Sequence, residues 1–430
     1  MALIKKPVTG MKDILPREME IRDYCISVIK KTYAEFGFES IETPCVESIA
    51  NLTSKQGGDN EKLIFKILKR GEKLRLDTAE SEADLVDSGL RYDLTVPLVR
   101  YYSNHQNELA MPFKALQMGN VWRADRPQKG RYRQFMQCDI DIIGEPGNIA
   151  EIELILATTT TLGRLGFRGF EIRINERRLL KAMAAYSGFP EDRYSDVFII
   201  LDKMDKIGLS GVSDELIESG FTPQMRDRFV ELMEGLSGVS GAAEGAGASA
   251  GDKLSYLEEK LGSYVEPGVI DSLREIIECV DSTKSADFKM VFDPTIVRGM
   301  SYYTGTIFEI AMPELGISCG GGGRYDEMVG KFTGKDVPAC GFSIGFERII
   351  LILMENGFEI PGSPVKKAYL IEKNMPAARL CEVISEAQKE RGEGNQIVIT
   401  RMAKNKKFQK QQLTEKGYTE IREFYVNPRD

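Results

Sequence analysis

The sequence predicts an α+β protein: an antiparallel-looking sheet with flanking helices, a helical insertion within it, and a small α/β module at the end. Three observations carry this reading. Strand-like segments cluster before residue 177 and return after residue 285. The intervening 178–284 is almost wholly helical in pattern. After a Pro-Gly-Ser-Pro linker at 361–364 the chain reads strand, helix, strand, helix, strand. Even alternation of βαβ units, which marks a doubly wound nucleotide-binding sheet, is missing from the body. At 430 residues the chain is too long for one ordinary core.

Pro16 opens the first helix, with Ile21, Tyr24, Cys25, Val28, Ile29, Tyr33 and Phe36 at helical spacing and Gly37 placed to end it. SIETP (40–44) reads as a short strand stopped by proline. LIFKILKRGEKLRL (63–76) reads as a hairpin turning at Arg70-Gly71. From Pro112 to Gly144 two strands flank a basic loop, RADRPQKGRYR, whose Pro127 and Gly130 disfavour a helix. DIDII (139–143) alternates, as a half-buried strand does. Glu151 to Leu165 is apolar at helical spacing, and FEIRINE follows as a strand. The Gly/Ala/Ser run 239–252 reads as a surface loop within the helical region. Beyond it come FKMVFD, YYTGTIFEIAM, the glycine-rich CGGGGRYDEMVG, and a strand leading into a helix in ACGFSIGFERIILILMENG.

Composition excludes several chemistries. One histidine, His105, leaves no basis for a Ser-His-Asp triad or a multi-histidine metal site. Seven scattered cysteines without a CxxC pair argue for a reducing compartment and against a disulfide or zinc framework. No apolar run approaches the roughly 20 residues that span a bilayer, and MALIKKPVTGMKDILP has no apolar signal core, so a cytoplasmic protein is expected. The net charge of −8 is uneven. Residues 366–430 hold 14 Lys+Arg against 9 Asp+Glu, a net of +5, so the remainder carries −13. A basic tail on an acidic body suggests an anionic partner, although a solvated basic helix would show the same charge.

Four segments point to anion chemistry. RADRPQKGRYRQF (123–135) sets five basic residues against one acid, Asp125. Arginines between strands suit phosphate, because a guanidinium is a planar, permanently charged fork. Arg123, Arg126, Arg131, Arg133 and Lys129 could neutralise a polyphosphate or an RNA backbone; alone, the loop also reads as a charged surface hairpin. IVRGMSYYTGTIFE places Arg298 and Gly299 before Tyr302 and Tyr303. In SCGGGGRYDEMVG, glycines 320–323 need a reason such as close backbone packing, and the GK[ST] of a P-loop is missing. GFSIGFERI ends in Glu347 and Arg348.

In this order the four segments resemble the histidyl-tRNA synthetase family of class II aminoacyl-tRNA synthetases, over nearly the whole chain. TPCVE (43–47) is similar to the family's dimer-forming first motif, RADRPQKGRYRQFMQCDID to the second, and GFSIGFERI to the third. VRGMSYYTGTIFE and GGGGRYD are similar to the two histidine-specific signatures, and GLRYDLTVPLVRY (89–101) to the substrate-binding loop. The resemblance implies a class II catalytic domain in two parts, 1–177 and 285–360, around the insertion 178–284. It also implies an anticodon-binding-like domain at 366–430, shorter than the family's usual one. The implied reaction activates L-histidine with ATP and transfers it to the 3′ end of tRNA(His), in a cytoplasmic homodimer with Mg²⁺ on the nucleotide.

The resemblance also implies roles. Arg123 and Arg298 are the catalytic arginines, gripping the α-phosphate and carboxylate. Asp125, Arg131, Phe135 and Arg348 bind ATP with Arg123, the adenine lying between Phe135 and Arg348. Asp93 and Thr95 take the amine of histidine, and Gln137, Asp141, Tyr302 and Tyr303 surround its carboxylate and imidazole. Arg126, Gln128 and Lys129 at the loop tip meet the tRNA acceptor end, and the helix with Lys406, Lys407 and Lys410 meets the anticodon stem-loop. No protein metal ligands are implied. Ser301 stands where the family often has Asp, which bears on the pocket's detail. A second reading is the family's non-catalytic paralogue, the histidine-binding regulatory subunit of ATP phosphoribosyltransferase, which has no use for the adenylation set Arg123, Arg298, Phe135 and Arg348. A third is an adenylating enzyme for another amino acid.

Overall fold

The computed structural model describes residues 3–53, 59–238, 249–297, 303–312 and 316–427. The chain forms two compact units, Met1–Gly357 and Phe358–Asp430. In the first, the strands are β1 (Glu39–Ile41), β2 (Val46–Ser48), β3 (Lys66–Leu68), β4 (Val86–Leu90), β5 (Phe113–Trp122), β6 (Gln134–Ile143), β7 (Phe170–Glu176), β8 (Phe288–Phe292), β9 (Thr306–Met312), β10 (Ile317–Arg324) and β11 (Ala339–Ile344). Eight of them form one sheet in the order β1-β5-β6-β11-β10-β9-β7-β8. The pairs β1/β5 and β7/β8 at its two ends are parallel, and the pairs between are antiparallel.

Long helices cover one face of this sheet. The helix Pro16–Glu35 packs against Ile149–Arg164 and Phe346–Glu355, which lie on β6 and β11. It begins at Pro16, whose missing N–H costs nothing in a first turn, and ends before Gly37 at φ 80°. Side chains alternate along β6. Cys138, Ile140 and Ile142 are at most 1% exposed and turn to the helical layer, while Gln137, Asp139 and Asp141 project from the other face. DIDII is therefore not the half-buried strand its alternation suggests. Every residue from Cys138 to Ile143 is buried, because helices cover one face and a walled cavity the other.

The expected hairpin at 63–76 also fails. Only β3 forms there, and it pairs with β4, which also pairs with β2. Gly71 turns the chain at φ 59° into a 3₁₀ turn, Gly71–Lys73, rather than into a return strand. The sequence VDSGL of β4 is weak in strand-forming residues. Gly89 lies inside it because a Cβ there would press on Leu52 and Ile64 at 3.0 and 3.1 Å.

The glycines 320–323 form a strand interior, for the reason the sequence demanded. A Cβ on Gly322 would strike the Gly341 carbonyl of β11, and one on Gly323 the Thr306 carbonyl of β9. Behind this strand Arg324 makes a buried bidentate pair with Glu151 of the helix Ile149–Arg164, both contacts at 2.7 Å. Thr306 Oγ1 donates to the same carboxylate at 2.8 Å, and the Glu145 and Gly147 carbonyls accept from the guanidinium. From Arg177 to Thr283 the described residues are helices and turns, beginning with Arg177–Ser187 and ending with Val269–Thr283.

The second unit is a three-stranded parallel sheet, β12 (Lys366–Ile371), β13 (Gln396–Arg401) and β14 (Glu420–Phe424), in the order β13-β12-β14. Helices Ala377–Gly392 and Lys406–Glu415 connect the strands. Its core is Tyr369, Ile371, Val383, Ala387 and Ile397.

Removing one partner of the Arg324–Glu151 pair strands a charge in the core. Glu151→Ala should lower unfolding stability by about 3–5 kcal/mol, read as a fall in urea midpoint, and Glu151→Leu with Arg324→Met should recover most of it.

Candidate active site

One cavity of about 460 Å³ opens on the face of β6, β11 and β10 opposite the helices. It collects residues from five separated stretches: Tyr92, Asp93 and Thr95; Arg123, Asp125, Arg131, Phe135, Gln137, Asp139 and Asp141; Tyr303; Tyr325; and Ser343 and Arg348. Of the site residues expected from the sequence, Asp93, Thr95, Arg123, Asp125, Arg131, Phe135, Gln137, Asp141, Tyr303 and Arg348 all line it. Arg298 and Tyr302, with Ser301 between them, lie outside the described residues.

At one end the Arg123 guanidinium lies between two rings, 4.4 Å from the Tyr92 centroid and 5.2 Å from that of Phe135. Its Nε donates to the Tyr92 carbonyl at 3.0 Å. An arginine so flanked is held in one orientation before a ligand arrives. Arg348 donates through Nη1 to the Ser318 carbonyl. Its neighbour Glu347 accepts two bonds from Arg22, at 2.7 and 2.9 Å, and one from the Met136 amide at 3.1 Å. That carboxylate joins the first helix, β6 and the helix bearing Arg348.

At the other end two buried carboxylates, Asp139 and Asp141, lie two residues apart, 5% and 3% exposed. Tyr325 donates its hydroxyl to Asp141 Oδ1 at 2.6 Å. Among the described residues Asp141 Oδ2 has no hydrogen-bond partner. Burial pushes the Asp141 carboxyl up to about 7, the Tyr325 bond pulls it back, and the charge of Asp93 raises it further. Asp139 is held well above the usual carboxylate range by burial and by Asp141, against the bond from Ser343. Ser343 Oγ donates to Asp139 Oδ1 at 2.5 Å. Asp93 accepts from the Val96 amide at 3.0 Å, at the start of the helix Thr95–His105. Glycine makes room for the acids: a Cβ on Gly341, which pairs with Asp141 across β6 and β11, would collide with Asp141 Oδ1.

The basic loop divides. Arg126, Gln128 and Lys129 are exposed and stand outside the cavity. The tip is a tight turn closed by reciprocal Gln128–Arg131 backbone bonds of 3.2 and 2.9 Å, with Gly130 at φ 73°. Lys129 makes a solvent-exposed pair with Glu355 at 2.6 Å. Arg133 is a correction. Its side chain donates to the Asp125 and Thr9 carbonyls and its amide to Gly10, so it anchors the N-terminal segment rather than an anion.

In the second unit Lys406 and Lys410 both bind Glu423, at 3.0 and 2.7 Å. Lys410, then Tyr425, then Lys406 hold that carboxyl down at about 2. Lys407 and Phe408 on the same helix are exposed. Sequence reasoning missed Tyr92, Asp139, Tyr325, Ser343 and Glu347. Asp139 had a signal, since DID puts two acids on one strand face.

Paired buried carboxylates beside a phenol, with a ring-flanked arginine at the far end, suit a cationic ligand next to a nucleotide. Comparison with known proteins agrees. A family model described as histidyl-tRNA synthetase matches residues 10–349. The chain is 43% identical over 409 residues to the histidine–tRNA ligase of Leifsonia xyli subsp. xyli, covering 93% of this chain and 91% of that one. Its fold is similar to the crystal structure of histidyl-tRNA synthetase from Nostoc sp. PCC 7120, at 26% identity with a TM-score of 0.76, over 97% of this chain and 90% of that one. An ATP phosphoribosyltransferase regulatory subunit/histidyl-tRNA synthetase from Bacillus halodurans C also gives 0.76, at 20% identity over 100% of both chains, a likeness of fold alone. The chain belongs to the histidyl-tRNA synthetase family. The regulatory-subunit alternative is not favoured, since relatives over most of the chain are ligases.

Asp141 makes stability depend on pH. Its carboxyl in the folded protein sits at about 7, above the ordinary 3.8, so the folded state holds the proton more tightly than the unfolded chain. That contribution is complete below about 4 and is lost as pH rises through 7. Urea unfolding without ligands at pH 5 and pH 8 should show a smaller fall with pH for Asp141→Asn than for the unaltered protein.

Proposed function

We propose that histidine and ATP lie side by side in this cavity, and that its residues divide between a nucleotide end and an amino-acid end. The activity is that of a histidine–tRNA ligase, an ATP-consuming aminoacyl-tRNA ligase. The observation that carries the residue assignment is a shared wall: Arg123, Phe135 and Arg348 line the same cavity as Asp93, Asp141 and Tyr303.

In the first step a carboxylate oxygen of histidine attacks the α-phosphorus of ATP. The new O–P bond forms as the bond to pyrophosphate breaks, and pyrophosphate leaves with the electron pair. No proton needs to be abstracted, so a chain with one histidine loses nothing. Two anions must meet, and fixed guanidinium groups lower that barrier by positioning and by electrostatic stabilisation. Arg123 is assigned this work on one side of the α-phosphate and Arg298, by resemblance, on the other. Phe135 and Arg348 take the two faces of adenine, and Asp125 and Arg131 complete the nucleotide site. Asp93 and Thr95 receive the amine. Asp141, with Tyr302 and Tyr303, reads the imidazole, and Tyr325 orients Asp141. A buried acceptor left unpaired by an analogue without the ring N–H gives strong rejection.

In the second step the 3′ end of tRNA(His) takes the histidyl group and AMP leaves. Arg126, Gln128 and Lys129 are exposed at the loop tip, where RNA phosphate could displace Glu355 from Lys129. In the tail, Lys407 and Phe408 offer a cation and a stacking face to the anticodon stem-loop. Lys406 and Lys410 serve by shaping that helix through Glu423. By resemblance, Mg²⁺ would enter with ATP. A homodimer built on the 43–47 segment and a cytoplasmic location complete the proposal. Among the described residues no helix is long and apolar enough to cross a membrane.

Purified protein should exchange pyrophosphate into ATP only when histidine is present. Arg123→Ala and Arg298→Ala should each cut that exchange about 10²–10³-fold with little change in melting temperature. Histidine binding without any exchange would sink the assignment. Lys407→Glu should slow charging of transcribed tRNA(His) while leaving the exchange rate unchanged.

A further inference from the structure

Arg91 carries a buried charge that the assignments above do not use. It stands two residues before Asp93 and is 4% exposed. Its Nε donates to the Asn120 carbonyl at 2.8 Å, and its Nη1 to the Thr43 carbonyl at 2.7 Å and to Thr43 Oγ1 at 3.3 Å. These acceptors are neutral dipoles, and a cation buried among dipoles alone is costly. The strip 91–94 already lies on β5 by other bonds. The Arg91 amide donates to the Cys45 carbonyl at 2.9 Å, and the Trp122 amide to the Arg91 carbonyl at 3.0 Å. Gln117, itself buried, accepts from the Thr43 hydroxyl and donates to the Leu94 carbonyl, each at 3.1 Å. β5 also gives up a side chain for the guanidinium: a Cβ on Gly119 would lie 2.2 Å from Arg91 Nη2.

We infer that Arg91 is a positioning residue, its guanidinium locking the strip 91–94 to Thr43 and to the end of β5 so that Tyr92 holds Arg123 toward the reacting phosphate. The inference rests on the reading of Arg123 as a catalytic arginine and deepens it. The path between them is short. Tyr92 follows Arg91 directly, its carbonyl accepts from Arg123 Nε, and its ring lies against the same guanidinium. A shift of the strip therefore moves both contacts at once. Asn120 stands three residues before Arg123, so the Nε bond also fixes the chain from which Arg123 projects. A guanidinium suits this task because its separate donors reach two chain segments together, whereas an ammonium is a point donor on a flexible stem. Misplacing a reacting group by about 1 Å can cost roughly 10²-fold in rate, so a small shift at Tyr92 is enough to register.

Histidine-dependent pyrophosphate exchange by the full-length protein, with active sites counted from the burst of adenylate, tests this. Arg91→Lys keeps the charge and loses the fork, and kcat per active site should fall about tenfold. Made in Arg123→Ala protein, the same substitution should change kcat by less than about twofold, since the arginine it acts through is gone. Gly119→Ala keeps Arg91 but fills its place, and should behave alike in both backgrounds. A residue that only held the fold would instead lower the melting temperature and the number of active sites, leaving kcat per site unchanged. Unchanged kcat per site in Arg91→Lys, or an equal fall with and without Arg123, would overturn the inference, as would failure of both Arg91→Lys and Gly119→Ala to fold. If the unaltered protein showed no histidine-dependent exchange, the reading of the cavity itself would fail, which is a separate result.

Discussion

Two carboxylates buried on one face of a central strand are the constraint around which this structure is arranged. Asp139 and Asp141 are almost withdrawn from water where they lie, so each draws on donors and space within the protein. Donors come from Tyr325 and Ser343, on the strand-to-helix corner after β10 and on β11. Space comes from glycine. Gly341 opposite Asp141 lacks the Cβ that would collide with it, and Gly322 lets β10 and β11 approach behind. The glycine-rich segment is thus sheet architecture, a floor kept clear for acids and ligand, rather than a phosphate-binding loop.

The end proposed for the nucleotide obeys the opposite requirement, a cation held still. Arg123 is fixed by two rings and a carbonyl, so its guanidinium is ordered in advance. Glu347 keeps the neighbouring wall in place by joining the first helix to β6 and to the helix of Arg348. The basic and acidic ends of the cavity therefore share one sheet, which suits the proposed reaction, whose difficulty is bringing two anions together.

The tail shows how pairing arranges a net charge. Its +5 already counts Glu423, which pairs with both Lys406 and Lys410 and leaves those two partly exposed. Lys407 and Phe408 on the helix Lys406–Glu415 are exposed beside them. The basic loop divides in the same manner, since Arg133 is consumed by backbone carbonyls while Arg131 lines the cavity.

Much was legible from residue order alone. Pro16 and Gly37 bounded the first helix, strand-type residues marked β5, β6 and β9, and alternating signals marked the βαβαβ tail, because these depend on local backbone preference and on period. The segments around Asp93, Arg123, Gln137, Tyr303 and Arg348 supplied residues that line the cavity, because their chemistry is in the side chains themselves. Contacts between distant segments were hidden. β4 took β3 as its partner where the sequence offered a local hairpin, since strand pairing is a choice among distant edges. DIDII alternates on paper but is buried on both faces, since burial is set by what packs above a strand. The contacts of Tyr325 with Asp141 and of Ser343 with Asp139 depend on which atoms lie within hydrogen-bond reach, and only the folded chain decides that.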